Sequence, residues 1–344
     1  MSPRAAIFCA CLSKLSLAQW PLWAGEAYVT SFESPPYKAG VDAIAGTDGW
    51  IGSTAHAGKG LSGVLSESQH GVSGIGNAAY LGGNSARITG VGSKSVHLRR
   101  PVNLDPLALG REIVSFSVVF GIKDSTAFSS FRRDDFEFLV YNNSSQLLAG
   151  IQFDNSTLDS ATGLPQRIIY LLYWNGTQIS YANTGYTYLP ETLELLEFRI
   201  NLRTNRWSVT LGGAPLFQDV PFHEGPYART LGFVLAQMQV GNTFPFSTDI
   251  HPGDNYMLFD DYRLRADPVT LNLAMSWTDA GDIKLDWNEE YGYQYRLQYS
   301  QDIASWHDFP ETVHTATRTG DYSFTDPVRP RPAMRFFRVR HSYP

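Results

Sequence analysis

Two adjacent carboxylates, Asp260 and Asp261, sit inside the apolar run 255–265, Asn-Tyr-Met-Leu-Phe-Asp-Asp-Tyr-Arg-Leu-Arg. Charges in such a stretch are costly unless something neutralises them. Glu33 lies in the first strand-like stretch of the chain, 27–34. If that stretch and 255–265 are neighbouring strands, Glu33, Asp260 and Asp261 gather at one rim. Hard oxygen ligands of this kind suit a structural Ca2+. The competing reading is that they accept hydrogen bonds from backbone amides or from Arg263. On strict alternation Asp260 shares a face with Leu258, Tyr262 and Leu264, the inner face on this reading. Asp260 is then the better direct ligand, and Asp261 falls with Met257, Phe259 and Arg263 on the other side.

A second acid pair, Asp135 and Glu137, shares one face of the alternating run 135–141. Glycoside hydrolysis needs two carboxylates flanking a bond. No third acid follows at a useful spacing, however, and Arg132 and Arg133 beside the pair suggest a solvated charged face. No catalytic residue is assigned here. Aromatic residues crowd 170–188, and flat rings with polar tips suit stacking on sugars. Core packing accounts for most of them. Alternation cannot hide both Tyr173 and Trp174, so Tyr173, Trp174 and Tyr181 are the candidate carbohydrate-binding residues. The eight histidines form no His-x-x-x-His pair, and Gly-x-Ser-x-Gly and phosphate-binding loops are absent. Asn142, Asn143, Asn155 and Asn175 fit the glycosylation pattern.

The elements that would position these groups are strands. The 344 residues include 30 Gly and 19 Pro, with 18 Tyr and 20 Phe, which suits short strands and many turns. Strand patterns recur at 78–81, 113–122, 135–141, 149–153, 166–174, 177–181, 194–202, 206–211, 231–238 and 255–265. Asn175-Gly176 reads as a two-residue hairpin turn, and Gly212-Gly213 as another turn. After Ala266-Asp267-Pro268 a second series begins, at 271–277, 283–287, 293–299, 322–325 and 334–340. In it Tyr293, Tyr295, Leu297 and Tyr299 face inward. Regular short strands without a helical period predict an all-β protein of antiparallel sandwiches.

The net charge of −6 and the lack of a basic run speak against nucleic acid as a partner. The first 27 residues read as a signal peptide: Arg4, the apolar run 5–12, and small residues at Gly25 and Ala27. The apolar run is too short to span a membrane. Both cysteines, Cys9 and Cys11, fall in this segment. The exported chain would carry no disulfide or thiolate metal site.

Residues 28–266 resemble the laminin-G-like, concanavalin-A-like jelly roll of secreted bacterial proteins. The carriers are Phe32-Glu33-Ser34-Pro35, Asp48-Gly49-Trp50, Arg206-Trp207-Ser208-Val209 with Leu211-Gly212-Gly213, and Asp254 through Tyr262. Residues 268–344 resemble a fibronectin-type-III-like module, through Met275-Ser276-Trp277, Tyr295-Arg296-Leu297, Trp306 and Arg335 through Val339. The resemblance implies a large jelly roll with a small sandwich appended. It also implies that a polysaccharide or glycoprotein is bound more often than cleaved. It further implies a structural calcium between an early Phe-Glu and a late Asp-Asp, here Phe32-Glu33 and Asp260-Asp261. The expected function is therefore secreted, non-catalytic carbohydrate or matrix binding. A polysaccharide-degrading enzyme using Asp135 and Glu137 in the groove, or a structural cell-surface component, are the alternatives.

Overall fold

The computed structural model describes residues 25–40, 44–52, 62–82, 95–124, 134–240, 255–326 and 335–344. The expected signal segment lies outside them up to residue 24. Two compact units emerge, one spanning Ala24–Pro268 and the other containing Val269–Pro344. Both are antiparallel β-sandwiches, so the chain is all-β. Among the described residues no helix is long and apolar enough to cross a membrane.

The large unit contains β1 (Glu26–Thr30), β2 (Ile51–Gly52), β3 (Ser62–Leu65), β4 (Ala78–Gly82), β5 (Ser95–Leu104), β6 (Ile113–Lys123), β7 (Asp134–Tyr141) and β8 (Leu147–Phe153). It continues with β9 (Ile168–Trp174), β10 (Ile179–Thr187), β11 (Glu194–Asn201), β12 (Arg206–Leu211), β13 (Ala214–Val220), β14 (Leu231–Val240) and β15 (Tyr256–Asp267). One sheet runs β13-β12-β11-β6-β15-β4-β3, with β1 also paired to β15. The other runs β10-β9-β8-β7-β14-β5-β2. The chain passes from sheet to sheet between β6 and β7, β10 and β11, and β14 and β15, which is the winding of a jelly roll.

Alternation explains why the two sheets pack. Val114, Phe116, Val118, Phe120 and Ile122 of β6 face Phe136, Phe138 and Val140 of β7 in one buried core. Phe138 meets Phe116, Phe120 and Phe259 at ring distances of 5.6, 5.9 and 6.0 Å. Each ring so buried contributes about 1.5–3 kcal/mol. The Gly212-Gly213 turn joins β12 to β13 with both glycines at positive φ, +56° and +80°, where a side chain would be strained. The Asn175-Gly176 hairpin differs from its two-residue expectation. Trp174 pairs with Ile179, so the loop has four residues. Asn175 Oδ1 accepts the Thr177 and Gln178 amides and holds it at that length. Sequence patterns also missed β3, β5 and β13, whose polar or proline-containing stretches hide their period.

β15 departs from strict alternation. Met257 and Phe259 are in the core, and so are Tyr262 and Leu264. A bulge between Asp260 and Arg263, with Asp261 at φ +47°, inserts one residue and resets the phase. Asp260 therefore does not share the inner face with Tyr262.

The small unit has β16 (Leu273–Trp277), β17 (Ile283–Glu289), β18 (Gln294–Ser300), β19 (His307–Asp308), β20 (His314–Thr315), β21 (Gly320–Thr325) and β22 (Phe336–Ser342). They form the sheets β16-β17-β21 and β19-β18-β20, with β22 paired to β18. Ile283, Leu285 and Trp287 from one sheet and Tyr295, Leu297 and Phe337 from the other share its core. Tyr293, Tyr295 and Leu297 are buried and Tyr299 packs against them, as the alternation of 293–299 indicates.

Candidate functional site

The outer face of the seven-stranded sheet is the place where polar chemistry collects. Register fixes what stands beside what. Gln237 of β14 lies between His97 of β5 and Glu137 of β7. Glu137 is opposite Gln152 of β8, which is opposite Tyr170 of β9, which is opposite Asn183 of β10. A polar row thus crosses six strands at right angles. Beside it runs an apolar row, with Leu235, Leu139 and Leu172 clustered together. Gly150 lies between Leu139 and Leu172, and a Cβ there would come within 2.5 Å of Leu139 Cδ2.

The middle of the face is closely knit. Glu137 is fully buried. Its Oε2 accepts the Gln237 amide at 3.1 Å and its Oε1 the Gln239 amide at 3.0 Å. Burial first, then the charge of Asp135, pushes the Glu137 carboxyl up to about 8, against the opposing pull of Gln239. Asp135 is pushed up to about 7, by burial and then by the Asp154 charge. It is held by the Asn155 and Ser156 amides at 2.9 and 3.0 Å. The sequence expectation of a solvated charged face at Asp135 and Glu137 is therefore corrected. Their shared strand face is as expected, but neighbouring strands cover it. His97 is lowered by burial and then by Arg99.

The phenol of Tyr181 of β10 lies near enough to β14 and β7 to be raised by burial and then by the charges of Glu137 and Asp135, and to be lowered by Gln239. On a flat sheet β10 and β14 would stand about 19 Å apart, four spacings. The approach of Tyr181 to the side chains of β14 and β7 means the face curves inward there. Tyr181 is still 50% exposed. It is thus an aromatic edge on a groove whose floor holds two high-pKa acids.

Of the other aromatic candidates, Tyr173 and Trp174 are both half-buried. Tyr173 is opposite Ser180, so it points away from the face that carries Tyr181. Trp174 stacks on the buried His223 at 6.0 Å and 21°. Only Tyr181 of the three presents a half-free ring at the groove. The glycosylation pattern is partly closed off, since Asn142 and Asn155 are fully buried.

The first acid cluster lies in the other sheet. β1 pairs β15 as expected, Tyr28 with Leu264 and Thr30 with Tyr262. β4 pairs the same edge further back, from Tyr256 to Phe259. Asp260 and Asp261 occupy the notch between these two partners, which is where the bulge falls. Asp260 is buried and Asp261 exposed. Burial raises the Asp260 carboxyl to about 7; the Asp261 amide opposes this, and the charges of Asp261 and Glu33 add to it. Asp260 Oδ1 has no hydrogen-bond partner. Glu33 Oε1 accepts the Asn77 amide at 2.9 Å, and a Cβ on Gly76 would fall within 2.2 Å of that oxygen. An orphaned buried carboxylate oxygen beside a second carboxylate is a fit for a hard cation. Among the described residues no three His, Cys, Asp or Glu side chains converge, so backbone carbonyls would complete the shell.

Compared with known proteins, the chain matches no family profile and no curated sequence. Among solved structures it is similar to the marine PL-14 alginate lyase from Aplysia kurodai, at 8% identity and a TM-score of 0.43. That match covers 71% of this chain and 100% of the lyase. It is also similar to the CBM2 module of the evolved Dit of Lactobacillus casei BL23 phage J-1, at 10% identity and a TM-score of 0.42, over 72% and 97% of the two chains. A sialidase matches at 9% identity and a TM-score of 0.39 over 63% of this chain, which spans only 17% of that protein. Likeness at this level assigns no activity.

Proposed function

We propose that this protein binds a polysaccharide along the concave outer face of the seven-stranded sheet. The observation that carries this reading is the polar row from His97 to Asn183, crossing the strands beneath the half-exposed ring of Tyr181. A row of donors and acceptors suits an extended chain of hydroxyls, and an aromatic edge suits a sugar face. Glu137 is locked by Gln237 and Gln239 and buried from solvent, which favours holding over cutting. In this reading the protein is exported, and the small unit is a fibronectin-III-like spacer. A structural calcium, held by Glu33 and Asp260 with Asp261 at its edge, ties the segment after β1 to β15. Affinity electrophoresis through gels of soluble polysaccharides tests the binding. At least one neutral glycan should retard the wild type, and Tyr181→Ala should run unretarded in that gel. Equal retardation of both proteins, or of neither in every gel, overturns it.

A second reading is favoured by one observation. Asp135 and Glu137, at about 7 and about 8, sit where acid–base groups work near neutrality. Release of new reducing ends or unsaturated products from the retarding glycan, lost in Glu137→Gln, would establish cleavage.

A further inference from the structure

The outer face of the β18–β22 pair in the small unit carries a cluster of like charges. Arg296 of β18 is directly opposite Arg340 of β22, and Gln298 is opposite Arg338. The inner face of the same strands carries Tyr295, Leu297, Phe337 and Val339 of the core. Like charges directly opposite on neighbouring strands destabilise a sheet. Among the described residues, Asp308 is the one carboxylate that answers them. Asp308 takes the Gln298 amide at 2.6 Å and Arg296 Nη1 at 3.6 Å. Gln298 in turn accepts Arg338 Nε at 2.7 Å. The Arg338 guanidinium lies 4.0 Å from the Trp306 ring centroid. Burial, and then the charge of Arg340, depress Arg338. Arg340 is exposed.

This arrangement is unfavourable by itself and favourable around an anion. The Gln298–Asp308 chain and the Trp306 ring hold Arg338 and Arg296 in fixed directions, so their remaining N–H groups are set in advance. Planar guanidinium forks match carboxylate and sulfate oxygens in pairs. A chain that is acidic overall keeps three arginines on one small sheet face, which selects for negative charge at that spot. We infer that this face is a second binding site, and that its ligand is an acidic polysaccharide, one bearing uronate or sulfate groups. Trp306, half-exposed beside the arginines, offers the flat apolar surface that a sugar ring needs and that a simple anion does not use. The site is independent of the groove in the large unit.

The test uses the full chain on immobilised heparin and on an alginate gel, with neutral glucan and duplex DNA as controls. The wild type should be retained by at least one acidic polysaccharide and released by salt, and should ignore neutral glucan at this face. Arg340→Gln should bind about fivefold more weakly, as one arginine contributes near an anionic surface. Arg338→Gln with Arg340→Gln should lose the salt-dependent retention altogether. Tyr181→Ala, which alters the groove, should leave it intact. Because Arg340 faces its like charge, Arg340→Gln should melt no lower than the wild type in the absence of ligand, so its weaker binding cannot be loss of fold. Retention of the double variant at wild-type strength, loss of retention in Tyr181→Ala, or stronger retention by DNA than by either acidic polysaccharide overturns the inference.

Discussion

Glu137→Gln reads the buried acid directly. Folding holds this carboxyl at about 8, whereas a free glutamate titrates at 4.5. An acid whose pKa is raised by the fold stays protonated there while the unfolded chain has already released its proton. The wild type therefore loses stability as pH rises from 4.5 to about 8, and the full loss persists above that. At about 1.4 kcal/mol per decade the window is worth about 5 kcal/mol. Glutamine does not titrate, so the variant lacks this slope. It also loses one of the two amide contacts from Gln237 and Gln239, a constant cost of about 1–3 kcal/mol. The variant should thus be the less stable protein at pH 4.5 and the more stable one at pH 8. Asp135 titrates in both, and only its coupling to Glu137 enters the difference. Hydrogen exchange of the β7 peptide, 134–141, followed by mass spectrometry across this range, reads the large unit without the small one. Parallel pH profiles for the two proteins would refute the burial of a proton on Glu137.

Calcium should raise the melting temperature of the wild type by binding only the native state. Glu33→Gln with Asp260→Asn should abolish that rise, and an EDTA-insensitive wild-type melting curve would mean that Asp260 is an unmetallated buried acid. Gly232→Ala should destabilise the large unit by about 1–3 kcal/mol, because the new methyl would meet the Asn142 carbonyl oxygen at 2.4 Å. Urea midpoints unchanged by that substitution would show that the β7–β14 corner yields freely.

Much of the fold was legible in the chain. The period-two patterns of 113–122 and 135–141 are those of strands, and that of 293–299 placed Tyr295 inward, because a strand's side chains must alternate and one face must leave water. The pairing of the opening stretch with 255–265 was also legible, as two apolar runs that each carry acids. Local pattern failed where one residue is added or a neighbour decides. The bulge at Asp261 reversed the phase of β15, and no composition signal marks it. Nor could the sequence show that Glu137 is buried, since a carboxylate on an outer sheet face is ordinarily solvated. That burial comes from Gln237 and Gln239, a hundred residues away, brought alongside by the β7–β14 register. It comes also from sheet curvature, which carries Tyr181 across the groove. The sequence by itself determined the alternation of most strands, the all-β class and which acids are adjacent. Only the tertiary structure decided which acids lose their water, because desolvation depends on strands distant in sequence and not on the neighbours a residue has along the chain.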